Sequence, residues 1–193
     1  YINFSELEDR LLNKNDDITF EEALELTDTP KDKLLELTTL ARKVTLKHKG
    51  DGVFLRSIIS AKTGDCSEDC SFCSQSVHFS SPISKHSFLD PDEVLQAALE
   101  SEKMGAFDFC IVIAVKGPNK QQFKKVLESI DLIKKNTKLE IGCSLGSLTR
   151  DQAQGLADAG VWRYNHNIET CKEFFPNICS THTYEDRVNT ARL

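Results

Sequence analysis

The sequence lacks the features that a membrane span, a nucleic-acid-binding surface or a secretion signal requires. Its longest apolar run, Phe109–Val115, is too short to cross a bilayer. Positive charge is not in excess, since 24 Lys and Arg stand against 30 Asp and Glu for a net charge of −6. The N-terminal residues show no charged-then-apolar signal pattern. We therefore predict a globular, cytoplasmic protein with neither a membrane nor a nucleic acid as partner.

Methionine is present once, whereas cysteine is present seven times. An odd number of cysteines cannot be fully paired within one chain, and clustered cysteines in a reducing compartment more often bind metal or perform chemistry. An isolated cysteine has a simpler explanation as a small buried apolar residue. That explanation suffices for Cys171 and Cys179, but not for the cluster of cysteines between residues 66 and 73.

Residues 1–50 have the patterns of helices. Thr19 and Glu22 are spaced as a capping box, and apolar residues recur at helical spacing from Leu34 until Gly50. We predict that this segment is an N-terminal helical extension.

From residue 51 onward, predicted strands and helices alternate. The strands are Val53–Ser60, Phe107–Val115, Leu139–Leu145 and Val161–Glu169. The helices are Asp90–Gly105, Asn119–Lys135, Thr149–Gly160 and a segment that begins at Tyr184. A Cys- and Ser-rich stretch without periodicity follows the first strand, and loops of that length are usually functional.

This alternation predicts an α/β fold with a parallel sheet. Four βα units are half of a TIM-type (β/α)8 barrel, which typically needs about 250 residues. A doubly wound open sheet is the alternative, although no Gly-rich phosphate-binding turn follows the first strand. We expect residues 51–193 to be the first half of a barrel, ending in the helix after strand four, and residues 1–193 to be inactive by themselves.

Cys66, Cys70 and Cys73 follow the first strand at the sheet edge where α/β folds bind ligands. Three thiols on a four-iron–four-sulfur (4Fe–4S) cluster would leave one iron open to a small molecule. A zinc-binding structural module completed by His78 is the alternative.

The spacing Cys-x3-Cys-x2-Cys, with the aromatic Phe72 before the last cysteine, resembles the radical S-adenosylmethionine (SAM) superfamily. Within it, the sequence is similar to the biotin synthase family. The segments that carry this similarity are Ser57–Gly64, Gln75–Ser76, Tyr164–Thr170 and Thr181–Arg187. They lie in collinear order, and the similarity extends from about residue 30 to residue 193. Another radical SAM enzyme, such as a hydrogenase or pyrrolysine maturase, is the alternative.

The resemblance implies a 4Fe–4S cluster on the three clustered cysteines and SAM as cofactor. It implies sulfur insertion into dethiobiotin to form biotin, an electron-donor protein such as flavodoxin or ferredoxin, and a homodimer. The SAM-binding residues that it implies are Phe72, Asn167, Glu169 and Arg187, and the dethiobiotin-binding residues are Asn165 and Lys62.

The alternation of strand four supports part of this site independently. Arg163, Asn165, Asn167 and Glu169 share one face, and aromatic and apolar residues share the other. Because the outer face of a barrel packs against helices, we predict that the polar face points inward. The inverted arrangement is the alternative.

Cys110 and Cys143 occur in the middle of neighbouring predicted strands. Their surroundings in the sequence allow either buried core residues or a shared metal centre on the inward face. The resemblance implies that they are two of the three cysteine ligands of an auxiliary iron–sulfur cluster, usually 2Fe–2S. The third cysteine and an arginine would belong to later strands.

Overall fold

The computed structural model describes residues 2–193, which form two compact units divided between Val53 and Phe54. The first unit contains the helices α1 (Phe4–Asn13), α2 (Phe20–Thr27) and α3 (Leu34–Lys49), with a short 3-10 helix at Lys31–Lys33. The predicted capping box of α2 is confirmed by the reciprocal bonds of Thr19 and Glu22. Gly50 caps the C-terminus of helix α3. Its φ is 74°, a backbone angle that glycine adopts without steric cost.

The second unit alternates strands and helices as predicted. In chain order it contains β1 (Arg56–Lys62), α4 (Pro91–Lys103), β2 (Asp108–Ile113), α5 (Lys120–Asn136), β3 (Glu140–Ser144), α6 (Arg150–Asp158), β4 (Arg163–Tyr164) and α7 (Tyr184–Arg192). A 3-10 helix at Phe175–Asn177 precedes α7. The strands form one parallel sheet in the order β1-β2-β3-β4, which confirms the predicted α/β class and strand direction.

Strand β4 is much shorter than predicted. It covers Arg163–Tyr164, whereas the sequence pattern predicted Val161–Glu169. In the described sheet β4 pairs with β3 alone, so the ladder supports it from one side. Its backbone contacts extend one residue further, where the Asn165 N–H donates to the Cys143 carbonyl at 2.8 Å. Beyond that bond the chain leaves the ladder.

Strand β1 is also displaced from its prediction. It begins at Arg56 and ends at Lys62, whereas the prediction was Val53–Ser60. Val53 and Phe54 are 83% and 68% exposed and lie outside the ladder with β2. The prediction began too early because residues 53–55 have a β-favouring composition but do not pair with β2.

The main hydrophobic core lies between one face of the sheet and helices α4, α5 and α6. The strands contribute Ala61, Phe109, Ile111, Ile113, Ile141 and Cys143, and the helices contribute Val94, Ala98, Val126, Ile130, Ile133 and Leu156. Leu145, directly after β3, belongs to the same core. The opposite face of the sheet is where Cys110 meets Asn165. None of the helices among residues 2–193 is long and apolar enough to cross a membrane.

An ion-pair cluster joins three strands on that opposite face. The buried Asp108 carboxylate on β2 lies 3.2 Å from an Arg163 nitrogen on β4 and 3.5 Å from Nε of Arg56 on β1. Both arginines stay partly exposed, so water shares in the solvation of their charges. The sequence pattern did not indicate this cluster, because its members are separated by about 50 residues.

We expect Asp108→Asn to lower the free energy of unfolding by roughly 2 kcal/mol. Removing one partner of a fully buried pair costs about 3–5 kcal/mol, and the partial exposure of the arginines reduces that cost. Chemical denaturation followed by circular dichroism measures the change. Asp131→Asn, which removes an exposed pair with Lys135, is the matched control and should leave the transition in place. Equal effects of both substitutions would contradict a stabilising role for the cluster.

Candidate functional site

The loop after β1 that carries Cys66, Cys70 and Cys73, called the cysteine loop below, folds back on itself. The Cys66 N–H donates to the Gln75 carbonyl at 3.0 Å, and the Cys66 carbonyl accepts from Val77 N at 2.9 Å. Cys66 and Cys70 are buried and Cys73 is half-buried. All three cysteines line one cleft with a volume of about 270 Å³.

The cleft also collects side chains from the sheet and from α7. Its other charged or polar side chains are Ser60, Glu68, Gln75, Lys116, Ser144, Ser147, Asn165, His166, Asn167, Glu169, His182 and Arg187. Phe72, which is 56% exposed, lines the cleft as well. Most of the residues that the sequence singled out are thus brought together, although they lie on segments far apart in the chain.

Two carboxylates between the cysteines attach the loop to residues 180–182. Asp69 Oδ1 accepts from Ser180 N at 2.9 Å, and Glu68 Oε2 accepts from the Thr181 hydroxyl at 2.9 Å. The hydrogen bonds from Ser180 hold the pKa of Asp69 well below its usual range. Sequence reasoning missed these contacts. Two adjacent carboxylates inside a cysteine motif were the available signal.

Arg187 on α7 is the cation at the centre of the cleft's hydrogen bonds. Its Nη1 lies 3.3 Å from Glu169 Oε1 and donates to the Asn167 carbonyl at 3.0 Å. Its Nε donates to His182 Nε2 at 3.1 Å. The guanidinium fork is therefore held beside a carboxylate in a cleft that opens next to the cysteines. Such an arrangement suits a ligand that carries both a carboxylate and hydroxyl groups.

The predicted side-chain orientation of strand four is confirmed for residues 163–165. Tyr164 packs against the helix-side core, whereas Asn165 Nδ2 donates to Cys110 Sγ at 3.3 Å on the opposite face. Arg163 reaches Asp108 on that same face. The inverted arrangement is thereby excluded for these residues.

The alternation of strand four predicts that His166 shares the helix-side face with Trp162, Tyr164 and Ile168. In the structure His166 instead lines the cleft. The chain leaves the β-ladder after Asn165, so the alternation no longer applies. Burial, together with the charges of Arg187 and His182, lowers the pKa of His166 to about 4. The imidazole is therefore neutral at pH 7, and its buried Nε2 has no hydrogen-bond partner among the described residues.

Cys110 and Cys143 lie on opposite faces of the sheet, so the prediction that both face the barrel interior is wrong. In the register of β2 with β3, Cys110 pairs with Gly142, and Cys143 pairs with Ile111. Partner residues of neighbouring strands share a face, and successive residues alternate. A Cβ at Gly142 would accordingly lie 3.4 Å from Cys110 Sγ. Cys143 is fully buried in the helix-side core, which was the alternative explanation for it.

We expect Cys143→Ala to destabilise the fold by about 1–2 kcal/mol, as truncation of a buried core side chain does. The iron content after anaerobic reconstitution should stay unchanged, because the thiol does not face the cleft. Denaturation and iron analysis measure the two effects, with Cys171→Ala, at an exposed position, as the control. A Cys143→Ala protein of wild-type stability that loses iron would contradict the assignment to the core.

Two further predicted residues make other contacts. Lys62 Nζ donates to the carbonyls of Gly64 and, at 2.9 Å, Ala114, so it bridges the ends of β1 and β2 and does not line the cleft. His78 Nε2 lies 3.0 Å from the Ser67 carbonyl oxygen. This ring nitrogen is thus engaged with the backbone, so a metal would have to bind through Nδ1.

The donor set of the cleft fits an iron–sulfur centre. Thiolates select iron–sulfur clusters, zinc and copper over hard cations such as magnesium. Burial raises the pKa of Cys66, and burial together with the neighbouring Cys179 raises that of Cys70 to about 12. Both groups are therefore protonated thiols at pH 7 until a metal displaces the proton.

The chain is similar to known proteins in both sequence and fold. Residues 61–193, more than half of the chain, match the family described as the Radical SAM superfamily. The chain is 44% identical over 185 residues to the biotin synthase of Rhodococcus jostii (strain RHA1), covering 96% of this chain and 55% of that protein. It is 44% identical over 193 residues to the biotin synthase of Acetivibrio thermocellus, covering 99% and 59% respectively. The chain thus spans a little over half the length of these relatives.

Among solved structures, the maturase HydG of the FeFe-hydrogenase from Carboxydothermus hydrogenoformans matches with a TM-score of 0.78 and 19% sequence identity. The match covers 98% of this chain and 44% of that structure. At this identity the likeness concerns the fold. The family match, together with the three thiols and Arg187 in one cleft, leads to one conclusion: the chain belongs to the radical SAM superfamily, which implies a 4Fe–4S cluster and SAM as cofactors.

Proposed function

We propose that this chain is the cofactor-binding part of a biotin synthase, a sulfurtransferase that inserts sulfur into dethiobiotin to form biotin. The observation that carries the proposal is the convergence of Cys66, Cys70 and Cys73 with Asn167, Glu169 and Arg187 in one cleft. The 44% identity to two biotin synthases supports this substrate class. The hydrogenase maturase shares 19% identity and supports the fold alone, so it does not favour the alternative activity.

In this proposal Cys66, Cys70 and Cys73 would hold the 4Fe–4S cluster, and three thiols leave one of its irons without a protein ligand. When bound, the cluster and SAM together supply a one-electron reductive cleavage that yields a radical able to abstract hydrogen from an unactivated carbon. The protein contributes position and shielding. Burial of two of the thiols keeps water away from that side of the centre, and the half-buried Cys73 lies closer to solvent.

Arg187, Glu169 and Asn167 bind SAM in this proposal. The guanidinium fork of Arg187 pairs with the methionyl carboxylate, and the Glu169 carboxylate accepts hydrogen bonds from the ribose hydroxyls. The 3.3 Å contact between the two side chains means that their charges offset each other before the ligand arrives. Phe72 contributes an apolar wall beside the cluster.

Asn165 is the proposed contact to dethiobiotin, because its amide can both donate to and accept from a ureido ring. Its Nδ2 now donates to Cys110 Sγ, so the substrate contact and Cys110 lie side by side on one face of the sheet. Cys110 is the proposed ligand to an auxiliary iron–sulfur cluster. Lys62 and Cys143 are not carried into the site, because their contacts lie elsewhere.

The proposal extends to the setting of the enzyme. It includes a flavodoxin- or ferredoxin-type electron donor, a homodimer and a cytoplasmic location. Residues 1–193 alone should form no biotin, since the relatives are longer and the open sheet leaves Ile58 of β1 70% exposed. Ile58 pairs with Cys110, so the exposed side chain belongs to the face that a closed barrel would cover.

A chimera tests the function directly. Residues 1–193 are fused to the remaining portion of the Acetivibrio thermocellus protein, reconstituted anaerobically, and supplied with SAM, dethiobiotin and a reductant. We expect biotin from the chimera and none from residues 1–193. The same chimera with Cys73→Ala should make no biotin. A chimera that is folded, holds about four irons at the clustered cysteines and cleaves SAM without forming biotin would contradict the proposal.

Metal analysis separates this proposal from a zinc-binding structural module. Protein purified without oxygen should contain iron and acid-labile sulfide and absorb visible light. A colourless sample that contains zinc, and that takes up neither iron nor sulfide on reconstitution after a chelator has removed the zinc, would support the zinc module instead.

A further inference from the structure

A second group of metal-binding side chains links the cysteine loop to the segment before α7. Cys70 Sγ lies 3.8 Å from Cys179 Sγ, and Cys179 Sγ lies 3.8 Å from His182 Nε2. The ligand atoms of these three residues all lie within 4.8 Å of one another, and all three residues are buried. Cys179 is one of the two thiols, with Cys171, to which the sequence assigned no role.

These separations match those expected around a tetrahedral zinc ion. With Zn–S bonds of about 2.3 Å and Zn–N bonds of about 2.0–2.1 Å, a tetrahedral angle places two sulfurs about 3.8 Å apart and sulfur and nitrogen about 3.6 Å apart. The separation of the Cys70 and Cys179 sulfurs needs no adjustment. The separation of Cys179 Sγ from His182 Nε2 would have to shorten by a few tenths of an ångström. Water would complete the four ligands.

The imidazole has the tautomer that this role needs, and a rotation of the ring would present Nε2 to the metal, since Cys179 Sγ lies 3.2 Å from Nδ1 and 3.8 Å from Nε2. His182 Nδ1 is paired with the Glu68 carboxylate, so Nδ1 carries the proton and Nε2 presents its lone pair. Metal-ligating histidines commonly have such a carboxylate on the other ring nitrogen. The Phe175 ring packs edge-on against the imidazole, with centroids 5.6 Å apart. Arg187 Nε now donates to Nε2 at 3.1 Å, and a cation would displace that hydrogen bond.

The backbone brings the two thiols to this separation. The Ser71 N–H, one residue after Cys70, donates to the Ile178 carbonyl, one residue before Cys179, at 2.9 Å. The hydrogen bonds that Ser180 N–H donates to Asp69 and that the Thr181 hydroxyl donates to Glu68 support the same contact on the other side. Several independent hydrogen bonds therefore hold the segments of Cys70 and Cys179 together, so their proximity does not depend on a single side-chain rotamer.

We propose that Cys70, Cys179 and His182 bind one zinc ion when the chain carries no iron–sulfur cluster. The two thiols lose their protons to solvent on binding, so one Zn²⁺ replaces two H⁺ and the charge balances. Because Cys70 is shared with the proposed 4Fe–4S site, zinc and the cluster exclude each other. That exclusion rests on the proposed function, whereas zinc binding itself does not.

The test uses reduced, cluster-free protein, titrated anaerobically with Co²⁺ and then with Zn²⁺. We expect one equivalent of Co²⁺ with thiolate-to-cobalt charge-transfer absorption, displaced by one equivalent of Zn²⁺. Cys179→Ser and His182→Gln should each weaken zinc binding at least tenfold. Cys66→Ser and Cys171→Ser should bind zinc as the unsubstituted chain does. Circular dichroism confirms that each variant is folded, and Cys179→Ala replaces Cys179→Ser if that variant is not.

Two results would overturn the proposal. One is loss of zinc binding in Cys66→Ser with retention in Cys179→Ser, which would assign the metal to the cysteine loop alone. The other is the absence of stoichiometric binding in the unsubstituted chain. The exclusion is measured separately, since zinc should block iron uptake by the unsubstituted chain and not by Cys179→Ser. Iron uptake unaffected by bound zinc would refute the sharing of Cys70 and leave the zinc site standing.

Discussion

Replacing Cys73 with alanine should abolish the iron–sulfur cluster. The unsubstituted protein should bind about four irons and four sulfides at this centre after anaerobic reconstitution, and the variant should bind close to none, because two remaining thiols do not hold a four-iron cluster in place. Cys73 is the substitution of choice among the three. It is half-buried, whereas Cys66 and Cys70 are buried, so its removal disturbs the packing least.

Iron and sulfide analysis together with visible absorption measures this loss. Cys171→Ala is the matched control, since it removes an exposed thiol from the same half of the protein and should retain the full complement. Unchanged circular dichroism shows that the Cys73→Ala chain is folded. A Cys73→Ala protein that still binds four irons would remove this cysteine from the proposed ligand set.

Replacing Arg187 with methionine should weaken SAM binding about 100-fold, which is close to 2.7 kcal/mol. Charge-assisted and bidentate hydrogen bonds are the strong ones, and truncating one partner of a buried charge pair costs about 2–5 kcal/mol. The side chain is 12% exposed and lies beside the 20% exposed Glu169, which the substitution would leave without its cation. Loss of the ligand contact and the unpaired carboxylate act in the same direction.

Equilibrium dialysis or calorimetry of reconstituted protein measures the affinity. Arg187→Lys keeps the charge and loses the fork, so we expect an intermediate loss of about tenfold. Arg192→Met is the matched control, because it removes an exposed arginine from the same helix α7 and should change the affinity less than twofold. Full SAM affinity in Arg187→Met would place the methionyl carboxylate elsewhere.

Through the proposed zinc site, Cys179 would influence how readily the chain acquires its 4Fe–4S cluster. A chain that has lost its iron would present Cys70 and Cys179 at a separation suited to zinc, beside His182, whose tautomer is fixed by Glu68. Iron and zinc would then compete for one thiol. Loading the cluster would depend on the relative availability of the two metals as well as on the three-cysteine motif.

Local features were predictable because short-range physics produces them. The capping boxes at Thr19 and Thr149, the helix stop at Gly50 and the βα alternation depend on residues only a few positions apart. The spacing of Cys66, Cys70 and Cys73 likewise falls within one loop. Because one loop after a parallel strand carries all three cysteines, the sequence alone could predict that they lie close together.

Features that depend on strand register and on contacts between distant segments needed the tertiary structure. Cys143 faces the helices because its neighbour Gly142 pairs with Cys110, and a one-residue change in register would exchange the two faces. His166 enters the cleft because β4 ends at Tyr164.

By itself, the sequence determined the fold class, the order of the strands and the three-cysteine loop, since periodicity, capping and ligand spacing are local. Only the tertiary structure decided which cysteines meet. The contact of Cys70 with Cys179 joins residues more than 100 positions apart, and it depends on the Glu68 and Asp69 bonds to the segment before α7. No periodicity within the chain records such a contact, because register and loop docking are set by the packing of the whole sheet.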